Sequence, residues 1–263
     1  MAGKKTEVAE TKSAEVVQFD PTMFEADAGL GLENMGAEDL ALPFLKILGG
    51  MSKELDVLED ARKGDIYNTV TGAVLKGKDG VKVVPCAYQR RFIRWAPLGE
   101  GTGAPVAVYA PGEAMPKTER STEDNKDYVQ DGSGDYIEET HQHYVLVLHE
   151  DGQVETALVA MKSTQLKKSR KWNSMISSLT VQGKNGPFTP PRFSHVYLLK
   201  TQLEENSKGS WHGWEMSRVG PIDEMATYQR AKDFASSIAA GDVVVKHQDE
   251  SVNGDINPDD VPF

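Results

Sequence analysis

Apolar and polar residues alternate differently in three stretches of the chain. Residues 1 to about 36 are polar and Gly/Glu-rich, with too few periodic apolar positions to offset the entropy lost on ordering. A disordered or loosely attached segment is therefore expected over 1–36. The first strong apolar run, 40–48, ends at Gly49-Gly50; it predicts a helical turn packed on the core and limited by Pro43, whose ring removes a helix hydrogen bond. From Asp65 onward β-branched and aromatic residues dominate, with a strand over 66–75, a turn at Gly77-Lys78-Asp79-Gly80 and a long strand over 81–95. Pro85 marks a bulge or an edge within that long strand. Residues 110–134 are rich in Pro, Gly, Glu and Asp and read as an exposed inserted loop, preceded by a further short strand at 106–109. Strands over 136–149 and 153–161 form a hairpin about Glu150-Asp151-Gly152, where Asp-Gly supplies the backbone dihedrals of a tight turn. A helix follows over 163–179, capped by Ser163 or Thr164, with Leu166, Ser169, Trp172, Ile176 and Leu179 along one face. Residues 193–203 and 211–219 make another strand pair. The last helix has Pro221 in its first turn, Ile222, Met225, Phe234 and Ile238 at helical spacing, and Gly241 at its stop.

In order, the 81–95 strand, the hairpin, the 163–179 helix and the last strand pair run β-β-β-α-β-β. That is the order of an OB-fold, a five-stranded Greek-key barrel with its helix between the third and fourth strands. The expected fold class is mainly β (α+β): an OB-fold-like barrel over 37–241 with an inserted loop, an extra strand and a C-terminal helix, followed by a flexible tail over 242–263.

Charge changes the picture of what such a domain meets. The net charge of -11 argues against a polyanionic partner until its distribution is examined. Between Thr156 and Leu203 there is no Asp or Glu, while Lys162, Lys167, Lys168, Arg170, Lys171, Lys184, Arg192 and Lys200 supply eight positive charges. The five acids after Lys246 face no cation. A basic segment and an acidic end are thus concealed in one average, and that asymmetry concerns binding surfaces. Cys86 is the only cysteine, which excludes an internal disulfide and a thiolate-rich zinc site. No apolar run approaches the roughly 20 residues of a membrane span, and the first residues lack a secretory pattern. A cytoplasmic protein without cofactor or metal is expected.

Binding single strands without reading sequence needs cations for phosphates and flat side chains for bases. Strand alternation places Tyr88, Arg90, Phe92 and Arg94 on one face of the 81–95 strand, ring alternating with guanidinium. Lys162, Lys167, Lys168, Arg170 and Lys171 form the second candidate set, and Trp211 and Trp214 offer rings beside a Gly-rich hairpin; Trp172 belongs to the apolar helix face and is expected in the core. The bland alternatives are core burial for the rings and a solvated face for the cations. His141 and His143 share a strand face, with His149 in phase, as in some metal sites; without a cysteine cluster or a helical His-Glu pair they are expected to be ordinary surface histidines. Gly99-Glu100-Gly101-Thr102-Gly103 lacks the Lys-Ser/Thr ending of a phosphate loop and reads as a turn. No Gly-x-Ser-x-Gly elbow is present, and no enzyme is expected.

Asp259-Asp260-Val261-Pro262-Phe263 resembles the acidic, Pro-Phe-ended tip of bacterial single-stranded-DNA-binding proteins, and of phage proteins of that function. The resemblance covers these five residues and the acidic approach from Asp249. It implies that Phe263 anchors in an apolar pocket of replication or recombination proteins such as a polymerase, helicase, primase or nuclease, with Asp259 and Asp260 steering, Pro262 restricting the approach and Val261 beside it. The body departs from the bacterial family in length, in its inserted loop and in its start, and is closer to phage-encoded members, which would place it in the bacterial host cytoplasm. Oligomeric state does not transfer from the resemblance, so a homo-oligomer stays open, and no membrane partner is expected. The function expected is a single-stranded-DNA-binding protein that coats strands during DNA replication, recombination or repair. Alternatives are a strand-annealing recombination protein, a metal-dependent enzyme using His141 and His143, and an adaptor that uses the tail alone.

Overall fold

The computed structural model describes residues 22–25, 27–36, 39–97, 99–100, 102–206, 209–243, 245 and 247. The chain divides into two units, 1–36 and 37–263. In the first, α1 (Thr22–Glu25) runs into turns closed by Leu30 N donating to Asp27 O and Leu32 N to Gly29 O. Residues before 22 and the tail from 248, with its Asp259-to-Phe263 tip, lie outside the described residues. No described helix is long and apolar enough to cross a membrane.

The second unit is mainly β. Its strands are β1 (Leu45–Ile47), β2 (Ile66–Asn68), β3 (Val74–Leu75), β4 (Val81–Trp95), β5 (Ala107–Tyr109), β6 (Thr118–Arg120), β7 (Asp127–Val129), β8 (Tyr136–Leu148), β9 (Val154–Lys162), β10 (Val181–Gly183), β11 (Gly186–Phe188), β12 (His195–Asn206) and β13 (Gly209–Pro221). Its helices are α2 (Glu54–Val57), α3 (Leu166–Ser177) and α4 (Met225–Ala240). The large antiparallel sheet is built on β4 and β8, paired from Lys82↔Leu148 to Trp95↔Tyr136. Each of these two strands has different neighbours along its length. At one end of the pair, β12 lies on β4 and β9 on β8, with β13 outside β12; at the other, β5 lies on β4, and β7 then β6 on β8. The sheet curls into an open half-barrel.

Three clusters of buried side chains follow from this split. Alternation sends Val83, Val145, Val147, Val159, Met161, Tyr197 and Leu199 inward, where Trp172 and Ile176 of α3 and Leu45 and Ile66 of the small β1–β2–β3 sheet meet them. Outward-facing Val84, Tyr144, Leu146 and Leu158 are covered by Ala231, Phe234 and Ile238 of α4. Ile93, Trp95 and Tyr136 make a smaller cluster at the β5–β7 end. The small sheet is attached to both flanks of the half-barrel. Pro43 O accepts from Leu158 N of β9, and Thr201 of β12 bonds Gly64 O through its hydroxyl and Gly77 O through its amide. Gly77 is required there, because a Cβ would strike Gly64 O and the Thr201 hydroxyl.

Several expectations need correction. The 40–48 run contains a bridge at Phe44 and strand β1 rather than a helical turn; Pro43 and the Phe44 pairing with Leu158 hold it extended. The 66–75 stretch is a hairpin of β2 and β3, turned by Asn68, whose Oδ1 accepts from the amides of Val70 and Thr71 while Gly72 adopts φ +72°. The 110–134 loop carries β6 and β7, and β10–β11 was not anticipated. Neither Ser163 nor Thr164 caps α3 by its side chain; Ser163 to Gln165 form a 3-10 turn that leads into it. Pro221 remains in β13 opposite His195, so the last helix starts at Met225, which is exposed, and stops as expected at Gly241, φ +84°.

Candidate functional site

The site begins with one surplus residue. Across the β4–β8 ladder Pro85 pairs with Val145 and Ala87 with Tyr144, so Cys86 is a bulge. Its thiol donates to Val84 O, and burial pushes its pKa up to about 12, so it is an inert packing group. Before the bulge the odd residues of β4 face inward, and after it the even ones do. Tyr88, Arg90, Phe92 and Arg94 thereby come to lie opposite His143, His141, Glu139 and Ile137, on the inner face that α3 also approaches.

A chain of hydrogen bonds crosses this face. Arg192, just before β12, donates from Nη2 to His143 Nδ1 at 2.8 Å and from Nη1 to Asn173 Oδ1 at 2.9 Å. His143 Nε2 and His141 Nδ1 each lie 2.7 Å from Ser169 Oγ, and His141 Nε2 is 2.9 Å from Glu139 Oε1. The ends fix every proton between them. Arginine can only donate, so His143 Nδ1 accepts and its proton sits on Nε2; a carboxylate only accepts, so His141 carries its proton on Nε2. Ser169 therefore accepts from His143 and donates to His141, and the bonds run in one direction from Arg192 to Glu139. Burial holds His143 well below the usual imidazole range, helped by the Arg192 charge, and lowers His141 against the opposing pull of Glu139. Both rings are neutral at pH 7, as the chain requires.

Aromatic rings line the same path. Trp172 stacks on His143 at 4.6 Å between centroids, Tyr88 contacts both imidazoles, and the Arg192 guanidinium lies 5.7 Å from the Tyr88 ring and 5.9 Å from that of Trp172. The histidines are not at the surface: His141 is 2% exposed and His143 0%. Ser169, also 0% exposed, is closed to a substrate and acts by orienting its neighbours. No cluster of three or more metal-binding side chains occurs among the described residues, and the two imidazoles are committed to Ser169.

At the rim, β4 and α3 meet. Arg90 approaches Glu139 Oε1 at 4.0 Å and Arg170 approaches the same oxygen at 3.7 Å, and both are largely exposed. Arg90 also lies over the Phe92 ring, 5.5 Å from its centroid. Tyr88, Arg90, Phe92 and Arg170 are thus brought together, with Glu139 as the carboxylate that Arg90 and Arg170 share, and Arg192, which the sequence does not single out, lies beside the Tyr88 ring. Lys167 and Lys171 are exposed on α3 and make no ion pair among the described residues.

Other expected residues are occupied elsewhere. Arg94 bonds Asp135 at 2.5 Å and Asp131 at 2.7 Å, Lys168 pairs with Glu204, and Lys162 lies 3.4 Å from Glu138. Trp214 is in the core at 2% exposure, since its strand phase faces α3, where its amide donates to Gln165 Oε1; Trp211 is half-buried across from Glu204. On the opposite, α4-covered face, Gln142 bonds His247, whose pKa burial lowers to about 4.

No curated protein and no solved structure matches this chain. The family model described as Pam3 phage gp34-like protein matches residues 9–244, a span that contains the small sheet, the half-barrel, both long helices and every residue of the relay and its rim. The chain belongs to the Pam3 phage gp34-like protein family.

Proposed function

We propose that the protein is a non-enzymatic single-stranded-DNA-binding protein, acting in phage DNA replication, recombination or repair, whose strand-binding face is Tyr88, Arg90, Phe92, Arg170 and Arg192. The observation that carries this reading is the convergence of Arg90 and Arg170, from separate segments of the chain, on Glu139 beside the Tyr88 and Phe92 rings. Two guanidinium groups around one carboxylate, with Arg192 unpaired by any described carboxylate, leave positive charge for phosphates, and the half-buried rings give bases a surface to stack on. Lys167 and Lys171 extend the charge along α3. Topology supports the reading further. Numbering β4, β8, β9, β12 and β13 as five barrel strands, the pairs 1–2, 2–3, 1–4 and 4–5 are present with α3 between 3 and 4, the arrangement expected of an OB-like domain. The acidic Asp259-to-Phe263 segment would then recruit replication or recombination proteins.

The test is titration with a single-stranded oligonucleotide followed by tryptophan emission across a salt series. Binding should weaken linearly in log affinity against log salt. Replacing Phe92 by Ala should cost about 1–3 kcal/mol, the worth of one stacked base. Salt-insensitive binding, or no binding to single strands, would dispose of the proposal.

A further inference from the structure

Arg192 has a peculiarity that a purely structural cation lacks. Of its five N–H groups two are bonded, to the neutral acceptors Asn173 Oδ1 and His143 Nδ1. Its Nε is shut off from solvent without a partner, and no carboxylate pairs with it among the described residues. The nearest carboxylate on the relay, Glu139, stands four hydrogen bonds away at the other end. Burial has drawn its pKa down to about 10, as expected of a cation that lacks its counter-charge. A buried guanidinium is ordinarily paired, because removing it from water is costly. Here the surroundings fix it rigidly instead: the relay holds one arm, Asn173 the other, and the Tyr88 and Trp172 rings flank it. Nη1 and Nη2 each keep a second N–H without a partner among the described residues, and such a preoriented pair of donors matches the geometry of a tetrahedral oxyanion.

We infer that Arg192 is the seat of a phosphate oxyanion, with Tyr88, Arg90 and Arg170 at the rim of the receptor and the Ser169 relay as its positioning device. The phosphate comes either from the backbone of a bound strand or from a free phosphate or pyrophosphate. Only the first source rests on the function proposed above.

The experiment uses the full chain, its Arg192→Gln and Arg192→Lys variants, and two probes: a single-stranded oligonucleotide over a salt series, and sodium pyrophosphate against chloride at matched ionic strength, read by thermal midpoint. In the strand-backbone case Arg192→Gln should weaken oligonucleotide binding about ten-fold across unrelated sequences and lower the salt slope by about 1. Arg192→Lys should recover the slope and not the full affinity, having the charge without the fork. Unchanged affinity and slope in folded Arg192→Gln overturn the inference and leave strand binding by Tyr88, Arg90, Phe92 and Arg170 standing. Stabilisation of the parent protein by pyrophosphate, lost in Arg192→Gln, with no oligonucleotide bound, supports the receptor and removes the strand-binding reading. Binding of neither probe overturns both. Should Arg192→Gln not fold, Arg192→Lys decides: about ten-fold weaker binding of whichever probe the parent protein binds supports the inference, and unchanged binding overturns it.

Discussion

Replacing Ser169 by Ala removes the one atom on which two buried histidines depend. His143 then has a buried Nε2–H without an acceptor and His141 a buried Nδ1 without a donor, in a place where both rings are at most 2% exposed. Each abandoned group costs about 1–3 kcal/mol, and the alanine returns roughly 0.5 kcal/mol of helix propensity within α3. The expected net loss is about 1.5–5.5 kcal/mol, which for a folded unit of this size lowers the thermal midpoint by roughly 3–20 °C. Urea and thermal unfolding, followed by the emission of Trp172 stacked on His143, measure it directly. Ser177→Ala supplies the control: it lies in the same helix and is exposed, its hydroxyl merely bonding back to Ser174 O, and it should stay within about 0.5 kcal/mol. If Ser169→Ala is as stable as Ser177→Ala, the directional relay derived above does not exist.

Acid should destabilise the protein well before its carboxylates titrate. His141, His143, His195 and His247 all have lowered pKa values in the fold, His247 near 4, while the unfolded chain protonates them near the ordinary value. The unfolded state therefore binds more protons, and stability present above about pH 6.5 declines as pH falls toward 4, by up to about 1.4 kcal/mol per pH unit for each fully neutral histidine; equal midpoints at pH 7 and 5 would contradict this. Gly77→Ala drives a Cβ into Gly64 O and Thr201, so the variant should lose several kcal/mol or fail to fold, of the order seen for core disruption; Gly220→Ala, with open space around it, should be nearly silent in the same melt. Deleting residues 249–263 removes a tethered polyanion able to compete for the cationic face, and should tighten oligonucleotide binding at low salt; equal or weaker binding would argue that the tail and that face do not compete.

Where one physical signal dominated, the sequence was legible. The bounds of β4, the β8–β9 hairpin and the buried stripe Ser169, Trp172 and Ile176 all follow from clean periodicity. The 40–48 run was misread because a short apolar stretch has no period long enough to separate strand from helix, and its partner, Leu158, is more than a hundred residues away. The histidines were placed at the surface for a related reason. Their phase was correctly seen, but what covers that phase is α3, and only the fold brings Ser169 beneath them. Arg192 was merely one of eight cations in an acid-free stretch, and nothing local distinguishes it; the Pro190-Pro191 pair that delivers it to Asn173 and His143 was the one available hint. Arg94 and Trp214 illustrate the reverse, residues with the right chemistry whose partners, Asp131, Asp135 and the core, are supplied by tertiary contacts.

The Cys86 bulge gives β4 a property that no substitution analysis would reveal. A strand has two sides, and one extra residue taken into the ladder would exchange them for everything downstream; bulged out, Cys86 leaves them as they are. Were Cys86 taken into the ladder opposite Tyr144, every later pair would slip by one, turning Tyr88, Arg90 and Phe92 toward the α4 side and bringing Ala87, Gln89 and Arg91 round to meet His143, His141 and Glu139. The cationic row and the relay are thus kept in phase by length rather than by composition. A slip of register at this face is correspondingly all-or-none, whereas change by substitution can be gradual.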